Sequence, residues 1–216
     1  NYEFSEIDAF YFFKKKILNK INTKKIYLNW FINIKKRSKA NWKENHSKGG
    51  GIIFNYACHS LYYLESLFGK IVSVKANIIA GARSKIKILE GKLYFNNNLS
   101  VQLNIKIGSI PNTIKPIHQL KILTNKKTYI LETKLNSLSD KFKLTFFKNN
   151  SSGLKKILFK NEKNKSDFRI KPTLRNSKKF DSWILRKKIQ RPNFLDAKRI
   201  HLIINKMIVS SKKKKE

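Results

Sequence analysis

The stretch that decides the fold of this chain is Lys48-Gly49-Gly50-Gly51-Ile52-Ile53-Phe54-Asn55-Tyr56-Ala57-Cys58-His59. Three glycines lead into a long apolar stretch, residues 52–68, which has the length of a buried helix rather than of a strand. A glycine run lets the backbone turn tightly, and the start of the helix after it offers free N–H groups to a ligand. The sequence therefore predicts a tight turn into a buried helix.

Two of the polar residues in this apolar stretch lie near its start. Asn55 and His59 are four residues apart, so on a helix both side chains project from the same face. One interpretation is a structural one, in which His59 is a hydrogen-bonded interior histidine. The other is a binding or catalytic site at the start of the helix. Spacing alone leaves both open.

The composition indicates a folded protein of 216 residues, for which one domain is the default. The hydrophobic fraction of 41% excludes a wholly disordered chain. A single cysteine, Cys58, cannot form an internal disulfide, which favours a reducing, cytoplasmic location. Its apolar neighbours predict a small core residue. No uncharged apolar window is long enough for a membrane span, so we expect no membrane partner.

The net charge of +35 is the second prominent feature. So many basic side chains could bind nucleic acid or another anionic surface. They are, however, spread over the whole chain, and no zinc-finger, RRM or helix-turn-helix pattern accompanies them. Abundant Lys, Asn, Ile and Phe together are typical of A/T-rich codons. Nucleic-acid binding is therefore the least favoured function.

The remaining periodicity predicts an α+β fold, a large, mostly antiparallel open sheet with helices packed on one face. Helices are predicted at residues 4–20, capped by Ser5 with Asp8, and at 194–211, begun by Asn193 and Asp196. Gly69 is predicted to end the helix over 52–68. Residues 149–191 are predicted to form a basic loop or arm, and residues 212–216 a basic tail. Alternating residues predict strands at 24–34, 72–78, 99–107, 120–124, 128–132 and 142–146.

Several segments together resemble the Gfo/Idh/MocA oxidoreductases. That family typically has a tryptophan, then Gly-Gly-Gly, three residues, an aspartate, three residues and a histidine. The matching residues here are Trp42-Lys43, Gly49-Gly50-Gly51, Asn55, His59, Leu64 and Phe68-Gly69. Asn1-Tyr2-Glu3-Phe4 is similar to the segment after the family's dinucleotide domain. Arg191-Pro192-Asn193-Phe194 through Ser210-Ser211 is similar to its closing helix, so the resemblance covers residues 1–211.

The resemblance implies an enzyme that moves a hydride between a sugar, polyol or cyclitol and NAD or NADP. His59 takes the position of the family's histidine, which implies general acid–base catalysis or binding of a substrate hydroxyl. Asn55 stands where the family more often has aspartate; an amide can orient an imidazole but contributes no charge. Trp42 and Lys43 are expected to bind substrate. Residues 1–211 correspond to the family's C-terminal substrate-binding and dimerisation domain.

What the chain lacks is equally informative. It has eight glycines and no G-x-G-x-x-G, so we expect the cofactor to be bound mainly by an N-terminal Rossmann domain that is absent from this sequence. This truncated chain alone is expected to be inactive. His46, His118 and His201 show no ligand spacing with Cys or carboxylates, so no metal site is predicted.

Two further predictions concern the oligomeric state of the protein and its competing function. Tyr27 and Phe31 predict an apolar free face on the sheet and hence a homodimer through that face. The competing function is a non-catalytic remnant or interaction module of the same fold, which Asn55 and the missing cofactor domain favour.

Overall fold

The computed structural model describes residues 3–33, 53–80, 86–108, 115–133, 142–149, 154–160, 170–187 and 189–212. Short 3-10 turns at Glu3–Glu6 and Leu18–Lys20 flank the first helix, and a π-helical turn at Ile53–Ala57 leads into the second. The α-helices are α1 (Asp8–Lys16), α2 (Cys58–Phe68), α3 (Ile170–Arg186) and α4 (Phe194–Lys212). The strands are β1 (Thr23–Asn33), β2 (Ile71–Ala80), β3 (Ile86–Phe95), β4 (Ser100–Gly108), β5 (Ile117–Thr124), β6 (Lys127–Thr133), β7 (Lys143–Lys148) and β8 (Lys156–Lys160).

These strands form one open sheet in the order β2-β3-β4-β1-β5-β6-β7-β8. β1 runs parallel to β4, and every other neighbouring pair is antiparallel. At the centre of the sheet Leu28 lies opposite Leu103 on one side and Leu120 on the other, and all three side chains are fully buried or nearly so. The predicted α+β class, with a large and mostly antiparallel sheet and helices on one face, is confirmed.

The strict alternation of β1 decides which face of the sheet receives the helices. Ile26, Leu28, Trp30 and Ile32 are buried, because their side chains point into the core beneath the helices.

Helix α4 lies along β2, and its last serines bind the strand's backbone. Ser211 Oγ accepts a hydrogen bond from the N–H of Ile78 at 2.8 Å. The helix therefore covers part of a sheet edge that would otherwise be free to pair.

The signals that end and begin helices are confirmed at two positions. Gly69, at φ +100°, follows α2, and its N–H donates to the carbonyl of Glu65. At the start of α4 the N–H of Asp196 donates to Asn193 Oδ1, and the N–H of Asn193 donates to Asp196 Oδ2, both at 3.1 Å. Asn193 and Asp196 thus cap each other, as their spacing predicts.

The first predicted helix is broken, and its predicted cap is wrong. Ser5 lies in a 3-10 turn and donates to the neighbouring Glu6, while α1 begins at Asp8 after Ile7, which makes no side-chain cap. The break directs Phe4 and Phe10 into the core, where both are buried. Burial of these two rings outweighs a continuous capped helix here.

The prediction of a loop or arm over 149–191 is also wrong for much of its length. The segment contains β8, which pairs with β7, and the 17-residue helix α3. The many basic residues of this segment are typical of a solvated loop, but in the folded domain acidic side chains neutralise part of their charge. Arg175 forms an ion pair with Asp8, and Lys179 forms one with Glu6.

The free face of the sheet is polar across β5, β6 and β7 rather than apolar throughout. Gln119 Nε2 donates to Glu132 Oε2 at 2.8 Å, and Lys143 Nζ lies 3.3 Å from Glu132 Oε1. Tyr27 and Phe31 are half-buried on this face, as expected of residues that alternate with the core positions of β1.

Candidate functional site

The helix of the opening sequence motif carries two of the four predicted site residues. Asn55 lies in the π-helical turn Ile53–Ala57, and His59 lies in the first turn of α2. Both side chains are half-buried. A single π-helical turn within a longer helix is uncommon and occurs often at functional sites. The sequence predicted a continuous helix here and did not indicate the change of pitch.

His59 has an apolar environment on one side. Its ring lies 5.6 Å from the ring of Phe4, centroid to centroid. Burial lowers the pKa of His59 to about 4, because a charged imidazolium would lose its hydration. The imidazole is therefore neutral at pH 7 and able to accept a proton or a hydrogen bond through one ring nitrogen.

A second histidine, His118, lies close to the first. It is 3% exposed and stacks on Trp30 with ring centroids 4.2 Å apart and an interplanar angle of 17°. Its Nε2 lies 2.9 Å from the hydroxyl of Tyr63. Burial, with a smaller contribution from His59, lowers the pKa of His118 to about 3. Within the described part of the chain, its Nδ1 has no hydrogen-bond partner.

His118 was not predicted as a site residue, although the sequence carries a signal for it. It alternates with Leu120 and Ile122, which are fully buried, so the period of β5 directs it into the core. The register then places it directly opposite Trp30 of β1. The signal in the sequence was therefore a histidine at a position where the alternation of the strand predicts a buried apolar side chain.

The ring of Phe4 connects these groups. It lies within 5.3 to 6.2 Å of five other rings and so holds them as one unit, here named the aromatic cluster. The cluster joins the chain's first turn, α2 and the central strands of the sheet. Its members are Phe4, Trp30, His59, Tyr63, His118 and Phe142.

Trp42, Lys43 and the three glycines lie outside the described residues. Tyr62 and Tyr63 are buried core residues, as expected, while Tyr56 is half-buried with its ring 6.2 Å from that of Trp30.

The cysteine beside His59 is a core residue, as predicted. Cys58 is buried, and burial raises the pKa of its thiol to about 11. The thiol therefore remains protonated at neutral pH and is a poor nucleophile.

Within the described ranges, no three His, Cys, Asp or Glu side chains come together in a way that could hold a metal ion. None of the helices in those ranges is both long and apolar enough to cross a membrane.

The family model for the oxidoreductase family C-terminal alpha/beta domain of the Gfo/Idh/MocA proteins matches residues 18–199. The chain belongs to this family. The match includes Asn55, His59 and His118, and it begins before β1 and ends within α4. No curated protein sequence matches the chain.

Solved structures share the fold at low sequence identity. A levoglucosan dehydrogenase in complex with NADH is 12% identical, with a TM-score of 0.75 over 98% of this chain and 63% of that one. A UDP-N-acetylglucosamine 3-dehydrogenase from Acidithiobacillus ferrooxidans is 12% identical, with a TM-score of 0.65 over 98% of this chain and 60% of that one. A biliverdin reductase from Synechocystis, in complex with biliverdin and NADP+, is 10% identical, with a TM-score of 0.66 over 91% and 57%. The chain thus spans about three fifths of the length of these proteins.

Proposed function

We propose that this chain is the substrate-binding part of an NAD(P)-dependent oxidoreductase that acts on a hydroxyl or carbonyl group of a sugar, polyol or cyclitol. Family membership supports the reaction class. The complexes of similar structures with NADH and NADP+ support a nicotinamide cofactor, and two of those proteins are named as sugar dehydrogenases. NAD or NADP would be bound mainly by a separate N-terminal domain, in a cytoplasmic enzyme.

The observation that carries this proposal is the position of His59 together with the protonation state of its imidazole. Oxidation of a hydroxyl group sends a hydride from carbon to the nicotinamide and releases a proton from oxygen. A neutral imidazole beside the hydroxyl accepts that proton, and the lowered pKa keeps His59 neutral at pH 7. The same low pKa makes the imidazole a weak base, so the proton that it accepts passes on at once and is not held on the ring.

The other three residues bind rather than transfer protons. Asn55 can donate a hydrogen bond to one substrate hydroxyl and accept one from another through its carboxamide. Trp42 offers an apolar face to a sugar ring, and Lys43 a charged partner for a substrate oxygen or phosphate. Within the aromatic cluster, the ring of Phe4 packs against the imidazole of His59.

The second candidate function is a non-catalytic interaction module of the same fold. Asn55 favours it, since the carboxylate that would strengthen a neighbouring histidine as a base is replaced by an uncharged amide. In either case we propose a homodimer through the free face of the sheet, where Tyr27 and Phe31 lie. Nucleic-acid binding is supported only by the net charge of +35.

An activity screen distinguishes the oxidoreductase from the non-catalytic module. It uses the complete polypeptide, as defined by the full coding sequence. Under this proposal, the polypeptide with NAD or NADP oxidises at least one member of a panel of sugars, polyols and cyclitols, followed by absorbance of the reduced cofactor. Asn55→Asp raises the rate, because a carboxylate increases the basicity of His59. A polypeptide that dimerises but neither binds cofactor nor turns over any member of the panel supports the module instead.

A further inference from the structure

Two contacts hold the start of α2 against the sheet, one on each side of His59 in the chain. Three residues before His59, the ring of Tyr56 lies 6.2 Å from that of Trp30, centroid to centroid, at an interplanar angle of 78°. Four residues after it, the hydroxyl of Tyr63 lies 2.9 Å from Nε2 of His118. His59 therefore belongs to a segment that is anchored at both ends.

Both anchors end on the same pair of rings in the sheet. Trp30 and His118 are direct partners in the pairing of β1 with β5, and their rings stack with centroids 4.2 Å apart. The ring of Phe4 lies 5.6 Å from that of Trp30, 5.3 Å from that of His118 and 5.6 Å from that of His59. A displacement of His118 would thus reach His59 by two routes, through α2 and through Phe4.

An imidazole at position 118 is not what packing alone favours. The next two core-facing residues of β5, Leu120 and Ile122, are fully buried and aliphatic. Nδ1 of His118 is also buried and has no hydrogen-bond partner in the described part of the chain. Burial of an unpaired polar atom costs free energy that an apolar side chain would avoid. What the imidazole adds at this position is the directional hydrogen bond to Tyr63.

We propose that His118 and Tyr63 are positioning residues, whose hydrogen bond orients His59 toward the substrate hydroxyl. This inference rests on the proposed function, in which His59 exchanges the proton of that hydroxyl. Both side chains are buried, so they act through the placement of α2 and Phe4 and not by contact with the substrate. Proton transfer requires the two groups to be within hydrogen-bond distance, and a misplacement of about 1 Å can lower the rate about a hundredfold.

The test is a double-variant cycle of turnover in the complete enzyme, measured per folded molecule well below the melting temperature. Tyr63→Phe removes the hydroxyl and keeps the ring. A positioning residue acts only through His59, so its loss should matter only while that imidazole is present. We expect Tyr63→Phe to lower turnover by about tenfold to a hundredfold in the otherwise unchanged enzyme. In a His59→Ala background the same change should lower turnover by less than about twofold.

Two further comparisons separate positioning from stability. His118→Gln keeps a hydrogen-bonding amide close to the place of Nε2, so it should retain more turnover than His118→Leu. Tyr129→Phe removes the hydroxyl of another buried tyrosine, which lies on β6 outside the aromatic cluster. This control should leave turnover unchanged.

An equal loss from Tyr63→Phe in both backgrounds would show a purely structural role and overturn the positioning role. Full turnover in both Tyr63→Phe and His118→Leu, in an enzyme that loses turnover with His59→Ala, would also overturn it and leave the proposed function intact. A complete polypeptide without any turnover, or one in which His59→Ala has no effect, contradicts the proposed function and the positioning role with it.

Discussion

The hydroxyl of Tyr63 lies 2.9 Å from Nε2 of His118, and both side chains are buried. This hydrogen bond joins α2 to β5 across the core, one turn along the helix from His59. His118 in turn stacks on Trp30 of β1. This polar contact therefore helps to set the rotation of α2 over the sheet, and with it the placement of His59.

Removal of the Tyr63 hydroxyl should destabilise the domain. In Tyr63→Phe, Nε2 of His118 stays buried without its partner, so we expect a loss of about 1–3 kcal/mol in the free energy of unfolding. Denaturant titration of the 216-residue chain measures this loss. His118→Leu combined with Tyr63→Phe should cost less than the two single changes added together, because the double variant leaves no buried polar group unpaired. Additive costs would show that the two side chains are not coupled.

The stability of the domain should decrease in mild acid. The pKa values of His59 and His118 are lowered from 6.5 to about 4 and about 3, so the unfolded chain binds more protons than the folded one below pH 6.5. Stability is then fully present above pH 6.5 and is lost as the pH falls toward 4 and 3. Melting temperatures measured from pH 7 to pH 4 should show this decline.

A variant and a control assign the acid sensitivity to these residues. His118→Leu removes one of the two buried imidazoles, so its melting temperature should fall less steeply with pH than that of the unchanged chain. His201→Gln alters an exposed histidine of α4 and should leave the slope as it is. Identical slopes in all three proteins would exclude His118 as a source of the effect.

An ionic cluster should stabilise the attachment of α4. Arg199 lies 2.7 Å from Glu65 Oε2 and 2.8 Å from Asp196 Oδ1, and both carboxylates are buried. Glu65 Oε1 also accepts a hydrogen bond from the N–H of Ile71 at the start of β2. Arg199→Met leaves the buried carboxylate of Glu65 without its cation and leaves Asp196 only the more distant Arg191, at 3.7 Å. It should cost on the order of 3 kcal/mol. Lys198→Met, at an exposed neighbouring position, is the matched control and should change stability little.

Six of the eight described strands and two of the helix boundaries could be predicted because each depends on short-range patterns. Alternation fixes the core face of β1, glycine at positive φ ends α2, and Asn193 with Asp196 begins α4. These signals are local, so they are visible in the sequence without knowledge of the neighbouring elements.

The unpredicted features depend on contacts between distant residues. Helix α3 packs on the domain through its basic side, because Glu6 and Asp8, more than 160 residues earlier, bind that side. His118 joins the aromatic cluster only through the pairing of β5 with β1. Neither relationship has a local signature. The site was accordingly predicted for Asn55 and His59, which share one helix, and not for the histidine on the sheet.

The 216-residue chain by itself should not bind NAD or NADP with useful affinity. Its sequence contains no G-x-G-x-x-G, the turn that cradles a pyrophosphate at the start of a Rossmann helix. Isothermal calorimetry with NADH and NADPH should therefore detect no binding. A dissociation constant in the micromolar range would show that part of the cofactor site lies within this domain.

The most direct test of the account is turnover and melting temperature measured on one preparation of the complete enzyme with His59→Ala. If His59 exchanges the substrate's hydroxyl proton, turnover should fall by about 10²–10⁴-fold while the fold is retained. Asn55→Ala, the comparison variant, should cost only about 0.5–1.5 kcal/mol in transition-state binding, the value of one hydrogen bond. A His59→Ala protein with a lower melting temperature and unchanged turnover per folded molecule would contradict the catalytic role.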